Sequence, residues 1–412
     1  APHQFIATYT TKARIQIQAR SATRTYLKHR GHGALAYHAS PNFVSFAQAK
    51  RLFLGLGYLK ELPIFPQVAY KDGVPSETRC SSRNLFAASV VLLVFSVLRG
   101  IQLPNTWSTT HMLVNYDHGF VKRGLLGALL KFLNIPYRYD FSFFAILSLA
   151  IFAVSLGLFI AIIRNLLYSK NPDAIASSFV YASSLGILFL AATVGYWDHL
   201  GLLLSLIALH INGIHRRLWF IGIAFGIAIL IHEALALMFY PLLCISVLLN
   251  HEQHPVKSVY LGLVTLSVVL VVLTGIMSGA TISAEHAGAL YQQVRTQTDF
   301  TPNDIFFWVL SQNVQNNAAV MRAWWHDPIR WKDMGWSLAA TLPPTLFFTT
   351  LAIRRLSYYC KLKLFWLLTA ASALTPLALH GIGWDFERWN ALSITTSFLA
   401  FVVVHQAFPH SI

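Results

Sequence analysis

The sequence predicts an all-α, polytopic membrane protein with about ten transmembrane helices and an interfacial helix in its first outer loop. Three observations carry that prediction. Of 412 residues, 55% are hydrophobic and only 11% are charged, against roughly 25% charged in an average soluble domain. Mean hydropathy is +0.53. Apolar runs of about 17–23 residues recur along the chain, long enough to cross a hydrocarbon core about 30 Å thick.

Ten spans are expected, at about 85–103, 141–163, 175–195, 199–214, 218–232, 234–250, 257–277, 336–353, 364–380 and 390–406. The stretch 218–250 is interrupted by "IHEAL" and reads as a hairpin or a pair of short helices, with one long tilted helix as the alternative. Gly222 and Gly226 form a GxxxG, a helix-packing signature. Between the seventh and eighth spans lies a long connection, 279–335, whose apolar and aromatic residues suggest a helix on or in the outer leaflet.

Ahead of the membrane domain (85–412), residues 1–84 hold twelve Lys/Arg and three Asp/Glu, with no acid before Glu61. Such a segment reads as a transit peptide, a membrane-surface tail, or upstream sequence that is not native. The net charge of +15 is not a nucleic-acid footprint, because no RNA-binding or zinc-finger pattern accompanies it. Cys80, Cys244 and Cys360 are far apart and form neither a disulfide framework nor a metal motif.

Orientation follows from the positive-inside rule. With the N-terminal tail inside, the inner connections carry nine basic residues: Arg164, Lys170, Arg216, Arg217, Lys257, Arg354, Arg355, Lys361 and Lys363. The three short outer connections carry one, Arg388. Both termini are then cytoplasmic, and a bacterial inner membrane is the expected location. Eleven of thirteen acids after residue 84 fall outside or at the outer edge; Asp173 and Glu252 are the exceptions.

Four polar clusters share that outer side: Tyr116-Asp117-His118 with Lys122 and Arg123; Tyr196-Trp197-Asp198-His199; His232-Glu233; and "GWDFERW", with Asp385, Glu387 and Arg388 between Trp384 and Trp389. Ionisable residues at a membrane edge tend to be paired or functional. Each also has a plain structural reading: Asp117 as a helix cap or partner of Arg123, Asp198 as an N-cap, Arg388 in a local ion pair, Lys122 and Arg123 as headgroup anchors. His232-Glu233 is not a zinc-protease motif, since position 236 is Ala and no HExxH forms. After the first cluster, Val121, Leu125, Leu126, Leu129, Leu130 and Leu133 recur at helical spacing beside Lys122, Arg123 and Lys131, which suits a helix lying in the interface. Its basic, Gly-rich start could dock an anionic headgroup or pyrophosphate.

A first span, an outer loop with an acid and an interfacial helix, then an acid in the next outer connection: this layout resembles the C-type superfamily of polyprenyl-phosphate-dependent glycosyltransferases. "GFVKRGL", "HEA" and "WDFERW" also resemble motifs of bacterial multispanning proteins of surface-polysaccharide synthesis. The resemblance implies a polyprenyl-phosphate- or pyrophosphate-linked sugar donor and a glycan or lipid acceptor, with transfer on the extracytoplasmic face. It implies Asp117 as catalytic base and Asp198 as a second catalytic, metal-binding or acceptor-orienting acid, which leaves a divalent metal ion as a candidate cofactor. His118, Lys122, Arg123, Trp197, His199, His232, Glu233, Asp385, Glu387 and Arg388 are the expected substrate-binding residues. The sequence departs from the superfamily in having a lone first-loop acid and no large soluble domain after the spans. An O-antigen or polysaccharide polymerase and a membrane transporter are the competing readings.

Overall fold

The structure is a computed structural model that describes residues 76–133, 140–249, 256–326, 328–359, 363–381 and 385–409. Its regular elements are helices. They run α1 (Ser76–Gly100), α2 (Thr106–His111), α3 (Leu125–Phe132), α4 (Phe141–Tyr168), α5 (Pro172–Ser183), α6 (Leu185–Ala192), α7 (Asp198–His210) and α8 (Ile214–Ile231). They continue as α9 (Ala234–Leu249), α10 (Val256–Gly279), α11 (Ala284–Gln297), α12 (Asp304–Leu310), α13 (Val314–Trp324), α14 (Pro328–Tyr359), α15 (Lys363–Ala378) and α16 (Phe386–Ala407).

Each expected span coincides with helix. Among the described residues, eight helical stretches are long and apolar enough to cross a membrane, with α5 and α6 counted together; α7 and α9 are shorter apolar helices. The chain is therefore an integral membrane protein. The 218–250 stretch is two helices, α8 and α9, because His232 leaves the helix with φ −158° and ψ 112°. Its ring then accepts the Ala234 N–H through Nδ1 at 3.2 Å, which satisfies a donor at the head of α9.

Two boundaries differ from expectation. Helix α1 begins at Ser76, inside the segment expected to be a tail; residues 1–75 lie outside the described residues. Helix α14 begins at Pro328, eight residues early, because proline is well suited to a first helical turn. The connection after α10 is thereby shortened, and it holds three helices, α11 to α13, where one was expected.

Helix α16 is the hub. It is buried without interruption from Trp389 to His405 and packs against α14, α15, α6 and α9. A helix buried all round needs polar groups that are satisfied internally. Thr395 and Thr396 bond back to the carbonyls of Ala391 and Leu392, at 3.1 and 3.0 Å, and Ser393 bonds across to Ala373 on α15. Asn390 donates to Ser337 on α14 at 2.7 Å and meets the His380 ring at 3.0 Å. Tyr181 on α5 stacks on Phe398 with ring centroids 4.0 Å apart.

Two buried arginines close the far end of the bundle. Arg217 reaches the carbonyls of Ile211, Leu209 and Ser246, at the C-terminal ends of α7 and α9. A cation there complements the negative ends of two helices. Arg355 lies against His405 and Phe408 of α16 and stands 3.6 Å from Asp173 at the start of α5. The cavity described next is at the opposite end, where α7, α9 and α16 begin.

Candidate functional site

Three connections meet at this end, and the local backbone sets each one. Before α3 the chain doubles back, with Gly127 against the Val114 carbonyl, where an added Cβ would stand 2.2 Å from the oxygen. Arg123 adopts φ 68°, a left-handed conformation uncommon for a residue with a side chain. Between α6 and α7, Gly195 takes φ +97°, turning the chain so that Trp197 and Asp198 face inward. Between α8 and α9, the break at His232 delivers His232 and Glu233.

These residues line one open cavity of about 150 Å³. Lys122, Arg123, Trp197, Asp198, His232, Glu233, Asp385 and Arg388 all border it, with Trp107, His111, Tyr196, Thr274, Ser278, Asn317 and Trp389. Thus residues of all four sequence clusters converge. Four expected residues lie elsewhere. Asp117 does not line the cavity: Lys131 Nζ donates to its Oδ1 and Gln293 Nε2 to its Oδ2, both at 2.6 Å. Burial pushes its carboxyl up, but those two hydrogen bonds outweigh it and hold the group below the usual range. The two acids expected to act together therefore do not share the cavity. His118 pairs with Gln293 at 3.0 Å. Both ring nitrogens of His199 face backbone carbonyls, Tyr196 at 3.1 Å and Leu190 at 2.8 Å. Glu387 is exposed and does not line the cavity. Trp384 lies outside the described residues.

The charges in the cavity are arranged as two walls. On one, Arg123 forks onto Glu233, with Nε–Oε2 at 3.0 Å and Nη2–Oε1 at 2.6 Å. Burial opposes ionisation of Glu233, but Arg123 prevails and holds the carboxyl well below its ordinary value. Beside this pair, Lys122 is 3% exposed. Its ammonium donates to the Gln312 carbonyl at 2.6 Å, and no carboxylate lies within 4 Å of it among the described residues. Burial, then the nearby Arg123, lowers its pKa to about 8.

On the other wall one guanidinium serves two acids. Arg388 Nε stands 2.9 Å from Asp198 Oδ2, and Nη1 stands 2.9 Å from Asp385 Oδ2. The Nε–H does not point along the first contact, so it is an ionic contact without a hydrogen bond. Both Asp198 oxygens, Trp197 Nε1 and Trp389 Nε1 are buried without a hydrogen-bond partner among the described residues. Arg388 also covers the Tyr196 ring, 4.7 Å from its centroid.

Two histidines form the floor. His232 is 3.8 Å from Glu233, yet this is not an ion pair at neutral pH: burial, then Arg123, lowers its pKa to about 3. With Nδ1 occupied by the Ala234 N–H, the neutral ring carries its proton on Nε2. His111, tilted against it at 5.2 Å between centroids, is lowered for the same reasons, burial first. His111 was not singled out in the sequence; it sits in "TWSTTHM", a short helix after the first span with no motif around it.

Next to the polar cavity is an apolar groove of about 390 Å³ between α7 and α8. Its lining includes Leu200, Leu204, Phe220, Ile227 and Ile231. It starts at Ile231, one residue from His232, and at Leu200, two residues from Asp198.

No protein-family model, curated protein or solved structure matches the chain. Among the described residues no group of three or more His, Cys, Asp or Glu side chains is gathered as a metal site.

Proposed function

We propose that this protein is an integral membrane glycosyltransferase. It takes a sugar from a polyprenyl-phosphate-linked donor at the extracytoplasmic face, in assembly of a cell-surface glycan. The observation that carries the reading is the cavity itself, where a buried carboxylate with unbonded oxygens faces a cationic wall across tryptophan and histidine side chains. Asp198 takes the proton from the acceptor hydroxyl, whose oxygen attacks the anomeric carbon. The bond from that carbon to the phosphate oxygen breaks, and the phosphate leaves with the electron pair. Lys122 and Arg123 stabilise the charge it carries. Trp197 and Trp389 offer ring faces and N–H donors to a sugar. Asp117 stays outside the chemistry and orders the first loop through Lys131 and Gln293.

A membrane-borne donor is supported by helix lengths and by the groove. At about 1.5 Å per residue, α7 and α9 measure about 20 and 24 Å, short of a core about 30 Å thick. A cavity at their heads is within reach of a lipid phosphate, and the α7–α8 groove beside it suits the lipid's hydrocarbon chain.

The test is to extract carrier-linked glycans from cells carrying Asp198→Asn or Asp117→Asn at equal protein levels. Asp198→Asn is expected to lower surface glycan by about 100-fold or more, as loss of a general base does, with build-up of the loaded carrier. Asp117→Asn is expected to retain most activity. Unchanged carrier-linked intermediates and surface glycan in Asp198→Asn would sink the proposal.

A further inference from the structure

The two floor histidines have complementary hydrogen-bonding roles, and the backbone sets both. His111 Nε2 lies 3.2 Å from the Ile231 carbonyl. A carbonyl only accepts, so Nε2 carries the ring proton and Nδ1 is left as a bare lone pair. His232 offers the reverse. Its Nδ1 accepts the Ala234 N–H at 3.2 Å, so its proton is on Nε2. The remaining nitrogens, His111 Nδ1 and His232 Nε2, have no hydrogen-bond partner among the described residues, and both rings line the cavity. Neither nitrogen is shut off from open space as Trp197 Nε1 and Trp389 Nε1 are. Resting on the reading of a sugar donor, we infer that this pair is the subsite for one uncharged hydroxyl of the transferred sugar. The hydroxyl donates to His111 Nδ1 and accepts from His232 Nε2–H.

A hydroxyl has one proton to give and lone pairs to receive another, all on a single atom. A carboxylate has only acceptors and would face the His111 lone pair. An ammonium has only donors and would face the His232 N–H. Neutral rings call for a neutral partner, and burial, then Arg123, keeps both rings neutral. The separation fits as well. The ring centroids are 5.2 Å apart and the planes are tilted by 47°. One oxygen about 2.9 Å from each of two nitrogens holds them at most about 5.8 Å apart. Both rings are also held in place. Trp197 meets His111 edge-on at 5.9 Å, Phe306 flanks it at 4.9 Å, and His232 is tied to the head of α9. The hydroxyl belongs to the sugar on the carrier phosphate, because His232 adjoins Glu233. Glu233 is the partner of Arg123, which stabilises that phosphate.

The experiment uses the full chain in phosphatidylcholine nanodiscs, with binding read by native mass spectrometry. The probes are polyprenyl phosphate alone and polyprenyl phosphate carrying glucose, galactose or mannose. The tightest of the sugar lipids is then compared with its four monodeoxy analogues. At least one analogue is expected to bind about tenfold or more weakly than its parent, since it leaves two polar groups of the site unpaired. That penalty should vanish in His111→Phe, which has no acceptor. It should vanish for the same analogue in His232→Asn, which can still accept the Ala234 N–H but has lost the Nε2 donor. His111→Asn, whose amide oxygen can take the place of Nδ1, should keep most of it. Deoxy penalties left unchanged by both His111→Phe and His232→Asn overturn the assignment to this pair. Equal binding of the parent and all four analogues overturns the inference and leaves the glycosyltransferase reading standing. If no sugar lipid binds better than polyprenyl phosphate alone, both fall together. The deoxy series on the unaltered chain does not depend on any variant folding.

Discussion

At the scale of single residues, the cavity is a place where charge is tolerated only in exchange for structure. Arg123 holds an uncommon backbone conformation, φ 68°, and its fork on Glu233 joins the first loop to the α8–α9 break. His232 does the opposite: it is kept neutral, tied by Nδ1 to the head of α9. Its pKa falls from 6.5 to about 3, through burial first and Arg123 second. The sign of the consequence is fixed by linkage. A group whose folded pKa is depressed adds stability that is present above the unfolded value and is lost as pH falls toward the folded one. The window for His232 therefore runs from about pH 6.5 down to about 3, with a slope of at most about 1.4 kcal/mol per pH unit. His111 acts in the same direction. Between about pH 6.5 and 5.5, above the range in which ordinary carboxylates titrate, His232→Asn is expected to flatten the acid loss of stability. Thermal-unfolding midpoints of detergent-solubilised protein across that range check it; parallel curves for variant and wild type would refute the linkage.

At the scale of elements, close approach of backbones decides where the polar residues sit. Gly127 of α3 leans on the Val114 carbonyl so closely that any Cβ would overlap it, and backbone atoms cannot turn aside as a flexible side chain can. Gly127→Ala is expected to cost about 1–3 kcal/mol, as overpacking does, and to loosen α3 so that trypsin cuts faster after Lys131. Gly157→Ala in α4, where nothing lies within 4 Å of the added carbon, should be neutral or slightly stabilising. Cleavage after Lys131 that is equal in the two variants would show that α3 is not held by this contact. The same elements show what could be read from sequence and why. Apolar length marked a helix under each of the ten expected spans, eight of them long enough to cross a membrane and α7 and α9 shorter, and the charge in "IHEAL" marked the α8–α9 break, because membrane burial imposes strong patterns. Asp117 is expected to be catalytic because it lies in the first loop, yet membership of a loop does not determine which way a side chain points. Lys131 and Gln293, fourteen and 176 residues away, turn it outward. Nothing local in the sequence encodes the second of these partners. His111, Thr274, Ser278 and Asn317 enter the lining through helix packing alone, with no spacing signal of their own.

At the scale of the whole molecule, the fold separates two chemistries along one axis. The end where α7, α9 and α16 begin gathers Asp198, Glu233 and Asp385 with their cations. The other end is closed by Arg217 on helix C-termini and by Arg355 beside Asp173 and His405. Positive charge in the short connections of that second end is what the positive-inside rule associates with the cytoplasm, so the cavity end should be extracytoplasmic. Two exposed positions report the two ends: Gln292 on α11 and Arg216 at the start of α8. Single cysteines at these positions, in a chain whose Cys80 and Cys360 are serine, are expected to react differently with a membrane-impermeant maleimide. Gln292→Cys should label in intact cells, and Arg216→Cys only after permeabilisation. The reverse pattern would place the cavity in the cytoplasm, where a sugar donor could be a soluble nucleotide sugar. A carrier lipid would then be unnecessary, and the apolar groove at Ile231 would lose its proposed role. The direction in which the bundle is inserted therefore decides between a membrane-borne and a soluble donor, although every contact inside the cavity would be the same in both cases.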